Sequence, residues 1–481
     1  MNSVSFKKIF FQTVVSTFLS FSTFAIGFLR VFYFSKNLSM EEFGILSLLL
    51  TLSAFLMFVF TLGSFQFLFK SVNEGPEASQ SALAASLIVT VVISFVSIII
   101  TLFFIDGISS LLNLNAYKSE IKLTIIATAT SSVMMVFLFH HYGLGRNNFQ
   151  NFLQFLRGSL WVIVSIVFSL FFNLSLIRIL MIINLCMCLI LLISVPWEQL
   201  PAIFSIKLKD IFFSKLIRYC IPLFPYFAGV WGIPMILRTE LNVYSGAKDV
   251  AIFSVAYTLM EIISMFTSTI TGTLSPYFFA ESADNTKPGL FYNIMLKYSV
   301  VCIMLIIPFV FMIRYDIILL VSSKKYLIAG DYIPLLILLP LLRIIIGVFE
   351  QHYLKASQTI YLGITYTITM LLSFVLSIIL VPHYSILGAI YASLASYAFL
   401  FICLYVKQRG LVDFVYLNGS ALVAQVLILW GTVYVLSFFN FSNFYKIIPL
   451  GMVALLSLIY LPILNEEEKN KILTFLHKKN E

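Results

Sequence analysis

Fourteen apolar runs of about twenty residues punctuate this chain, and they limit its fold more than any other feature. A run of that length, coiled at about 1.5 Å per residue, spans the ~30 Å hydrocarbon core of a bilayer. The runs cover 11–34, 43–69, 81–105, 121–142, 149–172, 174–195, 216–237, 250–274, 290–313, 328–351, 360–381, 386–406, 414–438 and 445–464. They are continuously apolar and far longer than a barrel strand, so they predict membrane-spanning helices. Composition excludes the soluble alternative. Only 11% of the 481 residues are charged, against roughly 25% in soluble domains. Two or three soluble domains built from this chain would lack the side chains to cover their surfaces. Lys7 and Lys8 precede the first run as they would in a signal peptide, but the run is too long and no small-residue cleavage site follows it. It reads as a retained helix.

The formal charge of +9 does not indicate a nucleic-acid partner, because the cations stand singly between apolar runs rather than along one face. They serve instead as topology signals and contacts for membrane lipids. An even number of spans puts both termini on one side. The loops of that side hold seventeen Lys and Arg against nine opposite, which places both termini in the cytoplasm. All five cysteines, Cys186, Cys188, Cys220, Cys302 and Cys403, lie inside or at the edge of apolar runs. Their placement suits neither disulfides nor metal binding. No Gly-rich phosphate loop with Lys, nucleophile elbow or paired outer carboxylates occurs, so an enzyme is not expected.

The chain also repeats itself. Leu29-Arg30 followed by Glu41-Glu42-Phe43-Gly44-Ile45-Leu46-Ser47 resembles Leu237-Arg238 followed by Lys248-Asp249-Val250-Ala251-Ile252-Phe253-Ser254. The match falls where span seven would repeat span one, as in transporters built from parallel repeats. It predicts an N-terminal lobe over 1–195, a cytoplasmic connection over 196–215, a C-terminal lobe over 216–410, two added helices over 411–464 and a cytoplasmic tail over 465–481. The tail pattern fits a surface amphipathic helix or a solvated segment equally.

The stretch Leu38-Ser39-Met40-Glu41-Glu42-Phe43-Gly44-Ile45-Leu46-Ser47 resembles the turn after helix one in polysaccharide-exporting flippases of the multidrug/oligosaccharidyl-lipid/polysaccharide (MOP) superfamily. Ile217-Arg218-Tyr219-Cys220-Ile221-Pro222-Leu223 resembles the family's start of helix seven. Val381-Pro382-His383-Tyr384-Ser385-Ile386-Leu387-Gly388-Ala389 resembles its Pro-x-Tyr-Gly-x-x-Gly-Ala turn, with Ser385 in place of the usual Gly. Gly246 to Tyr257 is similar to a stretch in which Gly precedes the next helix. Where many members carry Asp-Arg after helix seven, this chain reads Arg238-Thr239-Glu240, so no role is carried to those positions. The resemblance implies an all-α integral membrane fold with two six-helix lobes in a V-shaped arrangement and two C-terminal helices. It implies translocation of an undecaprenyl-diphosphate-linked oligosaccharide, an O-antigen or capsule repeat unit, across the bacterial inner membrane. No cofactor is implied, only a proton or sodium gradient. O-antigen polymerase or chain-length proteins would be protein partners. The alternatives are a small-molecule/ion antiporter of the same superfamily and a membrane-embedded glycan polymerase or glycosyltransferase.

Moving a diphosphate through a bilayer calls for cations in a cavity, and Arg suits this because its fork donates two parallel hydrogen bonds to phosphate oxygens. Arg157 lies about 12 Å inside the fifth span. Gln150, Gln154, Arg157 and Trp161 follow one helix face, predicting a polar stripe rather than a snorkelling cation. Arg343 in the tenth span and Arg30 and Arg178, near the outer ends of the first and sixth, complete the candidate set. For these three, interfacial anchoring competes with substrate binding. Arg238 reads as a loop residue. Glu261, about eleven residues into the eighth span, is the candidate for ion coupling, or for pairing with a cavity Arg. His140 and His141 read as interfacial side chains. Pro222, Pro225 and Pro234 with Gly229 and Gly232 predict a bent seventh helix.

Overall fold

The computed structural model describes residues 19, 22, 25–72, 75–198, 201, 213–261, 264, 301, 305–355, 358–407, 419–437 and 443–460, and all regular structure among them is helical. In chain order the longer elements are α1 (25–37), α2 (Met40–Thr61), α3 (Ser64–Val72), α4 (Pro76–Phe103), α5 (Ile105–Leu111), α6 (Lys118–Gly143), α7 (Asn147–Ser169) and α8 (Leu176–Ser194). They continue with α9 (Phe213–Tyr244), α10 (247–261), α11 (305–312), α12 (Arg314–Val321), α13 (Ala329–Leu336), α14 (Leu338–Lys355), α15 (Thr359–Tyr384), α16 (Ile386–Lys407), α17 (Gly419–Ser437) and α18 (Asn443–Tyr460). Among the described residues nine helices are long and apolar enough to cross a membrane, so the chain is a multi-pass membrane protein. The tail over 465–481 and most of the 196–215 connection lie outside the described residues.

Local chemistry sets the ends of these helices. Ser39 caps α2 through a capping box: its Oγ accepts from the Glu42 amide at 3.1 Å, and the Glu42 carboxylate accepts from the Ser39 amide at 3.1 Å. At the other end Leu62 (φ 49°) and Gly63 (φ 69°) both turn left-handed, which breaks the second predicted span into α2 and α3. Pro76 opens α4, where its missing amide proton is no loss.

Three places differ from expectation. α9 runs for 32 residues, about 48 Å, and continues through Pro222, Pro225 and Pro234. Arg238 is therefore a buried helical residue, not a loop residue, and Glu240 and Asn242 are buried beside it. His140 and His141 are buried rather than interfacial, and His141 Nε2 lies 2.9 Å from the Ser194 carbonyl of α8. The connections over 105–117 and 314–326 are not plain loops: each pairs a short helix with a 3-10 turn.

By contact the chain forms two units. The first takes Met1–Val255, Val321–Ser323 and Gln358–Ser396, and the second takes Ala256–Leu320, Lys324–Ser357 and Tyr397–Glu481. This grouping places α9 and α15 with the N-terminal helices. In the first unit α6 is central. It is the most enclosed of the nine, with 72% of its apolar window buried, and it packs against α2, α3, α4, α7 and α8. Phe67, Leu68, Ala82, Ala85, Val136, Phe137 and Leu216 form a core among these helices. α9 and α15 lie against each other so closely that a Cβ on Gly229 would stand 2.8 Å from the Tyr366 ring, and one on Gly363 3.0 Å from the Pro222 carbonyl oxygen. In the second unit Leu429, Val433, Leu450 and Ala454 join α17 to α18, and the Tyr353 hydroxyl donates to the Leu404 carbonyl at 3.1 Å.

Candidate substrate site on the buried face of α7

α7 is two-faced. Phe149, Phe152, Ile163 and Val167 are exposed, as suits a wall toward lipid, whereas Gln150, Leu153 and Trp161 are buried. Gln154 and Arg157, both half-buried, continue the buried face at helical spacing. Arg157 stands about 15 Å from one end of α7 and about 18 Å from the other. The polar stripe read from the sequence therefore turns into the helical bundle.

What holds the guanidinium there is unusual. Arg157 Nη1 donates to Met135 Sδ of α6 at 3.2 Å, and Nη2 donates to Met57 Sδ of α2 at 3.1 Å. A thioether is a weak and uncharged acceptor. Two of them orient the fork without neutralising it. Among the described residues no carboxylate is paired with Arg157. A charge at the middle of a membrane helix costs about 2.5–3.5 kcal/mol or more.

The neighbouring groups extend the polar seam. One turn from Met57 along α2 and two turns from Met135 along α6, Thr128 Oγ1 donates to Ser53 Oγ at 2.7 Å. Along α7 itself Trp161 stacks flat on Phe34 of α1, with ring centroids 5.6 Å apart and planes 5° apart. One turn further the buried Ser165 hydroxyl has no protein partner. Sequence reasoning found Arg157, Gln154 and Trp161 because their spacing is periodic. It missed Met57, Met135, Ser53 and Thr128, since Met and Thr in an apolar run look like ordinary packing.

The remaining candidates fall elsewhere. Arg30 is half-buried on α1. Arg178 is exposed two residues into α8 and donates to the Asn173 carbonyl of its own loop, an arrangement suited to anchoring. Arg343 lies on α14 of the second unit, its Cζ 5.6 Å from the centroid of the Tyr397 ring, with Tyr257 and Glu350 in electrostatic reach of the same phenol. Glu261 is exposed on the surface of its unit rather than enclosed in it. Among the described residues no cluster of His, Cys, Asp or Glu could hold a metal ion. Outside the spans, Lys118 holds the exposed Asp106 carboxyl below the usual carboxylate range by hydrogen bond and charge.

No protein-family model matches the chain, and no curated protein matches it in sequence. Solved structures do match. The lipid II flippase MurJ, in an inward closed conformation, superposes with a TM-score of 0.72 at 14% identity over 92% of this chain and 97% of that one. An inward-facing multidrug resistance MATE transporter of the MOP superfamily gives 0.56 at 14% identity over 82% of this chain and 99% of the other. A MOP-superfamily transporter from Pyrococcus furiosus, described as having a reversed polarity of its binding pocket, gives 0.58 at 13% identity over 82% and 96%. At such identities the likeness is one of architecture: this all-helical, multi-pass membrane chain has the fold shared by MurJ and the MATE transporters of the MOP superfamily.

Proposed function

We propose that the protein is a flippase. It carries an undecaprenyl-diphosphate-linked oligosaccharide, an O-antigen or capsule repeat unit, from the cytoplasmic to the outer leaflet of the bacterial inner membrane by alternating access, with both termini in the cytoplasm. The observation that carries this reading is Arg157, a mid-membrane cation oriented by two neutral sulfurs and paired with no described carboxylate. A lipid-linked sugar presents a diphosphate of strong negative charge, and the Arg fork matches two phosphate oxygens at once. The incoming phosphate replaces the thioethers as acceptor, which is favourable because a charge-assisted bond is far stronger than one to sulfur. Gln154, one turn away on the same face, offers an amide to phosphate or sugar hydroxyl. Likeness to a protein described as a lipid II flippase supports a lipid-linked cargo.

Arg30 and Arg343 serve as further cations along the route, and Arg178 anchors the outer interface. Glu261 couples movement to a proton or sodium gradient, or neutralises a cavity cation. No enzymatic step is involved. Docking of O-antigen polymerase or chain-length proteins would deliver the cargo onward. A second reading, a small-molecule/ion antiporter, is favoured by the likeness to MATE transporters solved in inward- and outward-facing conformations.

Lipid-linked oligosaccharide in a deletion strain separates the two. Intermediates should build up on the cytoplasmic leaflet and be cleared by wild type but not by Arg157→Ala. If deletion leaves these intermediates and the surface glycan unchanged, the antiporter reading replaces this one.

A further inference from the structure

Side-chain amides within the spans are held in different ways. Asn184 of α8 donates to the Leu123 and Leu180 carbonyls at 3.0 and 2.8 Å, and Asn242 of α9 donates to the Leu112 carbonyl at 2.8 Å. In the second unit Gln425 of α17 donates to the Ser457 hydroxyl at 3.3 Å. These amides join helix to helix. Gln150 and Gln154 of α7 do not. Gln150 is 6% exposed and Gln154 is half-buried, yet neither side chain hydrogen-bonds to a described residue.

An enclosed carboxamide without partners is costly, because two N–H donors and a carbonyl oxygen lose water and gain nothing in return. An apolar side chain of similar length would suit a membrane helix better. The two amides stand at i and i+4 on the face that Arg157 continues at i+7. Along the axis they lie about 10.5 and 4.5 Å from it. Their chemistry differs from that of the cation. A carboxamide carries no charge to draw a phosphate, but it sets a donor beside an acceptor. Neighbouring hydroxyls of a sugar ring present the same pair in return. Beyond Arg157 in the other direction the face is shut: Trp161 stacks flat on Phe34, both rings are buried, and the Tyr33 and Ser169 hydroxyls are bonded to each other.

We propose that Gln150 and Gln154 recognise the sugars of the cargo. With the diphosphate on Arg157, the first sugar lies against Gln154 and the next against Gln150, toward the predicted cytoplasmic end of α7. The Trp161–Phe34 stack is the stop that fixes this direction. The proposal rests on the flippase reading and adds to it the groups that separate a glycan-bearing lipid from the bare lipid diphosphate.

The test is binding to the purified full chain, read by native mass spectrometry with three probes: undecaprenyl diphosphate, the same lipid bearing one N-acetylglucosamine, and the same lipid bearing two linked N-acetylglucosamines. Wild type should favour the one-sugar lipid over the bare one by roughly tenfold, the scale of one or two neutral hydrogen bonds. Gln154→Leu should remove that preference and leave the affinity for undecaprenyl diphosphate unchanged. Gln150→Leu should remove only the further gain from the second sugar. Both variants should melt at or above the wild-type temperature, since neither loses a hydrogen bond within the protein. If Gln154→Leu does not fold, Gln154→Met, closer in length, carries the same expectation. A wild type that binds the bare and glycosylated lipids equally overturns this proposal alone. So does a preference that survives in the Gln154 variant, or variants that melt lower while the preference stays. Binding of none of the three lipids to wild type overturns the flippase reading itself.

Discussion

Arg157 and Arg343 are the same residue in the same kind of helix, yet their surroundings differ. Arg157 in the first unit has two sulfurs and is paired with no described carboxylate. Arg343 in the second lies against the Tyr397 ring, in a neighbourhood that includes Glu350. A cation over an aromatic face near an acid is already stabilised where it stands. One between thioethers is oriented but still carries its charge unspent. The contrast teaches that a membrane cation is a candidate for binding when its surroundings position it without neutralising it.

The sharpest way to break this comparison is to move the acid. Met135→Glu would put a carboxylate beside the Arg157 fork. Export should fall as far as in Arg157→Ala, by at least about a hundredfold if both phosphate bonds are lost, while the protein stays in the membrane at wild-type level. Glycan export and membrane abundance, measured together, check this. Arg157→Lys should fall in between, by roughly tenfold, because an ammonium keeps the charge but not the fork. Arg343→Ala should lower export less than Arg157→Ala and act mainly on stability, by about 1 kcal/mol for a lost cation–π contact. Thermal unfolding in detergent reads that difference. If Arg343→Ala instead matches Arg157→Ala in export at unchanged stability, the two sites are equals.

Much of this contrast was legible beforehand, and part was not. The membrane helices follow from apolar length alone, since nothing else satisfies the backbone in lipid. Arg157 follows from the spacing of Gln150, Gln154 and Trp161. The Leu62–Gly63 break was hidden because a left-handed pair leaves the run apolar. The extension of α9 to Tyr244 was hidden because buried Arg238, Glu240 and Asn242 read as a polar loop. Met57 and Met135 carried no signal: their importance lies in where Arg157 reaches, which is tertiary. His140 and His141 sat at a helix end, where polar residues ordinarily meet water, and only packing against α8 encloses them.

The smallest effect concerns a charge outside the bilayer. Lys118 depresses the Asp106 carboxyl in the folded state. The stabilisation is present above the unfolded carboxylate value near ~3.9 and is lost as pH falls through the lower folded value. Both groups face solvent, so the melting temperature should dip only slightly below about pH 4. Asp106→Asn should remove that dip.

Arg157 as the diphosphate anchor is tested most directly by titrating the purified protein with undecaprenyl diphosphate and counting bound lipid by native mass spectrometry. Saturable binding that Arg157→Ala weakens at least tenfold, and Met57→Leu leaves nearly intact, is the predicted result. Equal affinity of wild type and Arg157→Ala would contradict it.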